Sequence, residues 1–537
     1  NTTPPTQDSS NAYNEIEKSL IGITVNNGIS MTGSQANQIA LSDNFSSVTG
    51  VTYNNMINNG TISLSGIESI GIYANNGNIT NSSVISATGN SSFGIYGENG
   101  TTTINTGSIN IGDEGIGIYG VGYQDPATPG TYGGGTISIT NTGSITGTGG
   151  SGTIGIYLDN NGGVALSNAT VTLTSGSVID LGNVSDAVGV YVNGGTLTGS
   201  GSTITVGTNG VGLYANDSDV DLANTIINLN GDNALGMYLS GTSSLVTSGT
   251  NTINIDGQNV VLFYIDSSGS ISNNFEVGSV TSGSSYTLGK IVGGAFEYTG
   301  NSNLASNGTL VSGENAAVYL SGSTITSSAG STNVAAAALD GQYAGSLPSG
   351  MTSGIDGEND GIITFGDSSL GLYGENGSRL SNKGTITLGN SSAGLMTSGS
   401  GSLVVNSGVI SIGSNSQGIY VKDGVSASNT STGSITSSGS GTVGIYADNN
   451  AVTLMPVTND GYIDLTGDKS IGIYSAGTST SDINNTGTII VGNSSDAMDP
   501  SMGMYSAAAG SQIANSGTIT SGENSIAAAV MSLTQEH

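Results

Sequence analysis

Three carboxylates stand at alternate positions ahead of a glycine in Asp356-Gly-Glu358-Asn-Asp360-Gly361. That pattern is how a calcium loop begins, because a divalent cation needs several oxygens and a sharp turn to bring them together. Just beyond it, Phe365-Gly-Asp-Ser-Ser-Leu370 carries the serine and acid of a hydrolase nucleophile segment. Both motifs overlap one phrase, NDGIITFGDSSLGLY (359–373), whose neighbour NKGTITLGNSSAGLM (382–396) keeps the same frame with neither motif. They are therefore read as turns of a repeat, and no metal site is expected.

Other routes to catalysis are narrow. The chain has no Cys, and its single His is the last residue, His537, so a Ser or Cys nucleophile has no imidazole base within the fold. Carbohydrate-cleaving β-helices work with clusters of Asp or Glu and a basic residue. Here Arg379 is the one Arg and Lys numbers five, with no carboxylate cluster outside the repeat turns. No enzyme activity and no cofactor are expected. Six basic residues against 37 acidic ones give a net charge of −31, which leaves almost nothing to neutralise phosphate and excludes nucleic acid as a partner. No apolar run is long enough to cross a bilayer as a helix.

The tyrosines are the remaining chemical candidates. Fourteen of them close copies of Asn-x-Gly-x-Ile-x-apolar-Gly followed by a small polar turn and apolar-Gly-apolar-Tyr: Tyr73, Tyr96, Tyr119, Tyr157, Tyr191, Tyr214, Tyr238, Tyr264, Tyr319, Tyr373, Tyr420, Tyr446, Tyr474 and Tyr505. Where no loop intervenes, they recur at 23 or 24 residues, as from Tyr73 to Tyr96 and from Tyr214 to Tyr238. A repeat of that period reports stacked structural units. Each unit, as in residues 94–119, alternates three β-favouring segments with turns rich in Gly, Asn and Asp.

Three strands and three corners make one coil, so the expected fold is all-β, an elongated single-stranded right-handed parallel β-helix. It should have about 18 to 20 coils, which at ~4.8 Å each would span roughly 90 Å. Strand alternation assigns the faces. Positions three before, one before and one after each Tyr, such as Ile70, Ile72 and Ala74, are expected inside; the Tyr and the Gly two before it are expected outside. The rings should pack on one another and over the flanking glycines. The recurring Asn58, Asn105, Asn359, Asn382, Asn406, Asn459, Asn485 and Asn515 precede a corner Gly; they are expected in left-handed geometry and in a side-chain amide ladder.

Residues 1–20 read as an N-terminal cap or helical remnant, and residues 21–537 as the β-helix. Insertions fall near 121–134, 265–305 and 341–352, the last following Leu339, which is placed in the Tyr position. Residues 265–305 read as degenerate coils or a small excursion. The first and third insertions lie after the Tyr strand and before the next Asn, so one corner of the coil should tolerate added chain. Their residues Tyr123, Asp125, Tyr132 and Tyr343 are the candidates for binding, since loops on rigid scaffolds carry recognition.

The phrases GIY and NTGSI, in repeats of the form NxGxIxxGxxSxGIY over residues 50–530, resemble those of the passenger regions of large bacterial autotransporter adhesins, especially the fusobacterial type. That resemblance implies a passenger fragment displayed on the bacterial surface, anchored in the outer membrane only through a C-terminal β-barrel missing from this sequence. It implies attachment to a host-cell or bacterial surface receptor, protein or glycan, by a monomeric chain. Two alternatives stay open: a β-helical carbohydrate-active enzyme, and a spacer stalk whose binding lies in missing segments.

Overall fold

The computed structural model describes residues 23–44, 55–75, 77–98, 100–122, 136–160, 169–451, 454–508 and 510–530. The proposed cap at 1–20 lies outside them. Among the described residues there are fifty-seven strands and no helix. They gather into two units, residues 1–269 with 274–286, and residues 270–273 with 287–537.

Each unit is a parallel β-solenoid built from strand triplets. One coil of the first unit runs through Asn78–Asn81, Val84–Ala87 and Phe93–Glu98; the next runs through Thr102–Asn105, Ser108–Ile111 and Ile116–Val121. Every strand pairs in parallel with its counterpart one coil away, so Thr103 lies beside Ile79, Ile109 beside Ile85 and Tyr119 beside Tyr96. The three members are called here the asparagine, middle and tyrosine strands. Middle strands form a ten-stranded sheet in the first unit and a nine-stranded sheet in the second. Away from the ends of these sheets their second residues, among them Ile85, Ile109, Ile145 and Ile179 in the first unit and Ile363, Ile386, Ile410 and Ile435 in the second, are fully buried. The same residue types therefore stack into an aliphatic column in each unit.

The tyrosine strand departs from simple alternation. Ile72 and Ala74 are fully buried, as expected, but Ile70 is half-exposed and the intervening Gly71 is buried. The same pattern holds at Ile154, Val188 and Leu235. Pairing runs from Ile70 to Phe93 and then from Ile72 to Ile95, passing over Gly71 and Gly94. Gly71 lies opposite Gly94 with no shift of register, so each strand changes face at its glycine, which leaves the residue three before Tyr and the Tyr itself on one outer face. That position has to be glycine: a Cβ on Gly189 would lie 2.5 Å from the carbonyl oxygen of Gly212 and 2.5 Å from Ile204 Cγ2.

At the expected corner left-handed geometry falls on residues such as Asn224, Gly176, Gly201 and Gly249, not on the recurring asparagines. None of the recurring asparagines before Gly has positive φ. A left-handed residue recurs most regularly five before the ring position, between middle and tyrosine strands: Glu68, Ser91, Glu114, Asp186 and Asn209 in the first unit, Ser368, Ser391 (before Met396), Asn415 and Lys469 in the second. The asparagines end their strands with side chains turned inward, fully buried in every case but the exposed Asn515. There they form the expected amide ladder. In the first unit Asn58 Nδ2 donates to Asn81 Oδ1 at 2.8 Å, Asn81 to Asn105 at 2.7 Å, Asn105 to Asn141 at 2.7 Å, and Asn141 to Ser177 Oγ at 2.6 Å. In the second unit the series runs unbroken through Asn359, Asn382, Asn406, Asn429, Asn459, Asn485 and Asn515 at 2.7–2.9 Å. Asn81, Asn141 and Asn429 extend the ladder beyond the residues expected from sequence.

Thirteen of the fourteen tyrosines lie on tyrosine strands. Tyr319 does not: it sits on the asparagine strand Ala317–Leu320, beside Glu297 and Glu358. In the coil before Tyr373 the ring position belongs to Ala338, and Leu339 is one residue further on, inside. Residues 265–305 contain regular strands, including Ser270–Asn273, Glu276–Val280, Tyr286–Val292, Ala295–Tyr298 and Asn301–Leu304. Long connections at 122–136 and 160–168 in the first unit and 341–356 in the second all join a tyrosine strand to the next asparagine strand.

Candidate functional site

Tyrosine rings follow one another along the outer face at 4.5–5.5 Å between centroids from Tyr73 to Tyr264. A second series runs from Tyr420 through Tyr446 and Tyr474 to Tyr505 at 5.0–5.4 Å. Between Tyr373 and Tyr420 the ring position is filled by Met396. Most rings in the two series meet face to face or tilted, so their faces are largely taken up by each other. Carboxylates two residues further along line the column: the Tyr73 hydroxyl donates to Glu98, which also accepts from Asn75 Nδ2 at 2.9 Å.

Burial first, and neighbouring phenols and carboxylates second, push the Tyr119 and Tyr191 hydroxyls up to about 12, and raise Tyr73 and Tyr157 as well. An unfolded phenol ionises near pH ~10. Between pH ~10 and 12 the unfolded chain therefore loses protons that the folded chain keeps, and stability falls as pH rises. Stability from this source should be level below pH ~10 and decline above it. Phenolate absorbance of the folded chain should lag that of the chain in denaturant; coincident titrations would contradict the assignment.

The second unit holds an acid–base cluster on the outer face of its asparagine sheet. Asp356, Glu358 and Asp360 alternate outward along and beside the strand Gly357–Asn359, and one coil later Arg379 and Lys383 stand next to them. Asp356 is fully buried and accepts four N–H bonds: from Arg379 Nη2 at 2.7 Å, Arg379 Nε at 2.9 Å, the Arg379 amide at 2.8 Å and the Tyr343 amide at 2.9 Å. Glu358, also fully buried, pairs with Lys383 Nζ at 2.8 Å and accepts from the Thr352 amide at 3.3 Å. Tyr319 donates to Asp360 at 3.2 Å. The Asp356 hydrogen bonds raise the Arg379 pKa. Burial pulls Lys383 down, but the hydrogen bond and charge of Glu358 outweigh it and leave it raised.

Residues 341–356 form a strap over this cluster. Tyr343, Met351 and Ile355 pack on Ala295, Ala317 and Tyr319, with Leu347 and Leu403 at the margin. Gln342 Nε2 reaches the carbonyls of Gly377 at 2.8 Å and Gly401 at 3.3 Å, spanning two further corners. Tyr343, expected to meet a partner, is therefore only 8% exposed and works as an internal anchor of the strap. Tyr123, Asp125 and Tyr132 lie outside the described residues. Sequence reasoning missed Glu358, Arg379 and Lys383 as a cluster, although each ion pair joins residues about one repeat apart: Asp356 and Arg379 are separated by 23, Glu358 and Lys383 by 25.

Asp356, fully buried with four donors on its two oxygens, has no lone pair left for a proton or a cation. Glu358 differs: its Oε1 takes both Lys383 and the Thr352 amide, while its buried Oε2 has no hydrogen-bond partner. Among the described residues, no group of three or more acidic side chains is arranged to hold a metal ion.

Residues 294–532 match the family model described as the BigA third pectate lyase-like domain. That span includes the strap and its acid–base cluster. No curated protein matches the chain.

Proposed function

We propose that this chain is a segment of a bacterial surface passenger that serves as a non-enzymatic adhesin. Its coils supply a rigid scaffold, and its contacts with a host-cell or bacterial receptor, protein or glycan, are made by chain inserted between tyrosine and asparagine strands. The observation that carries this reading is the placement of those insertions. The connections at 122–136, 160–168 and 341–356 all fall between a tyrosine strand and the next asparagine strand, while that at 492–500 falls between a middle and a tyrosine strand. The finer autotransporter assignment, with display outside the outer membrane, rests on the resemblance of the GIY and NTGSI phrases. Binding to a cell surface would then gain from several weak contacts along one scaffold.

The test is deletion of residues 123–135 with a short glycine bridge, leaving the flanking strands intact. Bacteria or beads displaying the shortened chain should bind target cells at least about tenfold less well, a loss of ~1.4 kcal/mol. Undiminished binding after this deletion and a matching one at 161–168 would sink the loop assignment and favour a spacer stalk. A second reading, a carbohydrate-active enzyme, is favoured by the lyase-like name of the matched family. Release of shortened products from acidic or neutral polysaccharides, abolished by Glu358→Gln, would establish it.

A further inference from the structure

We propose that the stacked parts of the tyrosine columns form an oxidative cross-linking track: a haem peroxidase with hydrogen peroxide joins tyrosines of adjacent coils through their rings, placing covalent struts between neighbouring turns. The inference rests on ring geometry and is independent of the adhesin reading.

Tyr157, Tyr191 and Tyr214 follow one another at 4.5 and 4.8 Å, with planes 10° and 11° apart. Tyr420, Tyr446, Tyr474 and Tyr505 do so at 5.0, 5.1 and 5.4 Å, with planes 11°, 9° and 10° apart. Parallel strands in register bring equivalent ring carbons alongside each other at every step. The rings are half-exposed, so a small diffusing oxidant or a peroxidase edge can reach them. Holding two reacting groups side by side replaces a bimolecular encounter with a unimolecular one and raises their effective concentration by orders of magnitude.

Chemical balance follows simply. Each phenol gives one electron to the oxidised haem and its hydroxyl proton to solvent, leaving a phenoxyl radical. Two neighbouring radicals pair their electrons in a new carbon–carbon bond, each at a ring carbon next to the one bearing oxygen. Each ring then returns its displaced hydrogen to its own oxygen and becomes aromatic again. The pair has lost two electrons and two protons, and hydrogen peroxide, taking up two of each, leaves as two waters.

The fold contains its own controls. Tyr214, Tyr238 and Tyr264 meet at 84° and 78°, edge to face, which presents the wrong ring atoms for coupling. Tyr373 is separated from Tyr420 by Met396 and has no tyrosine on the strand to either side, since Ala338 flanks it on the other.

The experiment treats the dilute folded chain with a haem peroxidase and hydrogen peroxide. Links are mapped by dityrosine fluorescence and by mass spectrometry after cleavage at Asp and Glu, because Lys and Arg total only 6. Links joining Tyr157 to Tyr191, Tyr191 to Tyr214 and successive members of the Tyr420–Tyr505 series are expected, at a yield independent of protein concentration. They should exceed any link at Tyr373 by about tenfold or more, as proximity dictates. Met396→Tyr should create links from position 396 to both Tyr373 and Tyr420. The proposal is overturned if links spread equally over Tyr373 and the edge-on pairs, if they appear only between molecules, or if they form no faster in the folded chain than in urea. It is equally overturned if Met396→Tyr adds none while circular dichroism shows the fold retained.

Discussion

Replacing Asn406 by leucine should loosen the two coils on either side of it by about 2–5 kcal/mol, among the largest effects open to a single substitution outside the aliphatic column. Asn406 accepts from Asn382 and donates to Asn429, to the Gly408 carbonyl and to the Ser434 carbonyl. All three asparagines are fully buried. Leucine has the same branched arrangement of four side-chain heavy atoms, though bulkier, so it occupies the site while a donor of Asn382 and an acceptor of Asn429 lose their partners. A buried polar group left unpaired costs about 1–3 kcal/mol, which greatly exceeds the net worth of the bond when it is made. Hydrogen exchange at residues 403–412 and 426–437 should accelerate by about thirtyfold or more, since each 1.4 kcal/mol is roughly a factor of ten. Exchange in distant coils should stay unchanged, because solenoid coils are coupled chiefly to their neighbours. Thr387→Ala, on the exposed face of a middle strand, should shift the same amides by less than ~0.5 kcal/mol. Equal effects from the two substitutions would mean the ladder is decoration.

Arg379→Met should release the strap. The Asp356 carboxylate would keep its two backbone donors but lose the guanidinium, leaving a buried charge without its counter-ion. Breaking a buried pair from one side costs about 3–5 kcal/mol, whereas removing both partners is far cheaper. The expected result is protease cleavage within 343–355 in Arg379→Met, with the tyrosine and middle strands still protected. Asp356→Asn combined with Arg379→Met should recover much of the resistance, since no unpaired charge then remains. A single variant as resistant as the parent chain would show that Tyr343, Met351 and Ile355 hold the strap without the ion pair.

The coil was legible in the chain because a period of 23 residues and a GIY phrase leave few alternatives, and because Asn before Gly recurs where strands must end. Three features were hidden. The change of face at Gly71 and its equivalents broke the alternation rule, which presumes an unbroken pleat; only the close approach of Gly94 reveals why glycine is required there. Left-handed corners taken by Glu68, Ser91 and Lys469 carry no residue signature, since the surrounding coils impose a conformation those residues do not favour alone. Tyr319 and Tyr343 were placed by local phrase and by loop membership, but apolar contact between them decided their burial. The acid–base cluster lay in the repeat itself, in charges one period apart, and that signal was available.

The amide ladder has a sense of direction. Every buried asparagine from Asn359 to Asn485 spends one hydrogen on a carbonyl of its own coil and hands the other forward, toward the C-terminal neighbour and never back. An ordered coil therefore presents an amide N–H on its C-terminal side and an amide oxygen on its N-terminal side, so the two ends of a stack offer opposite halves of the same bond and a coil can be added only in one orientation.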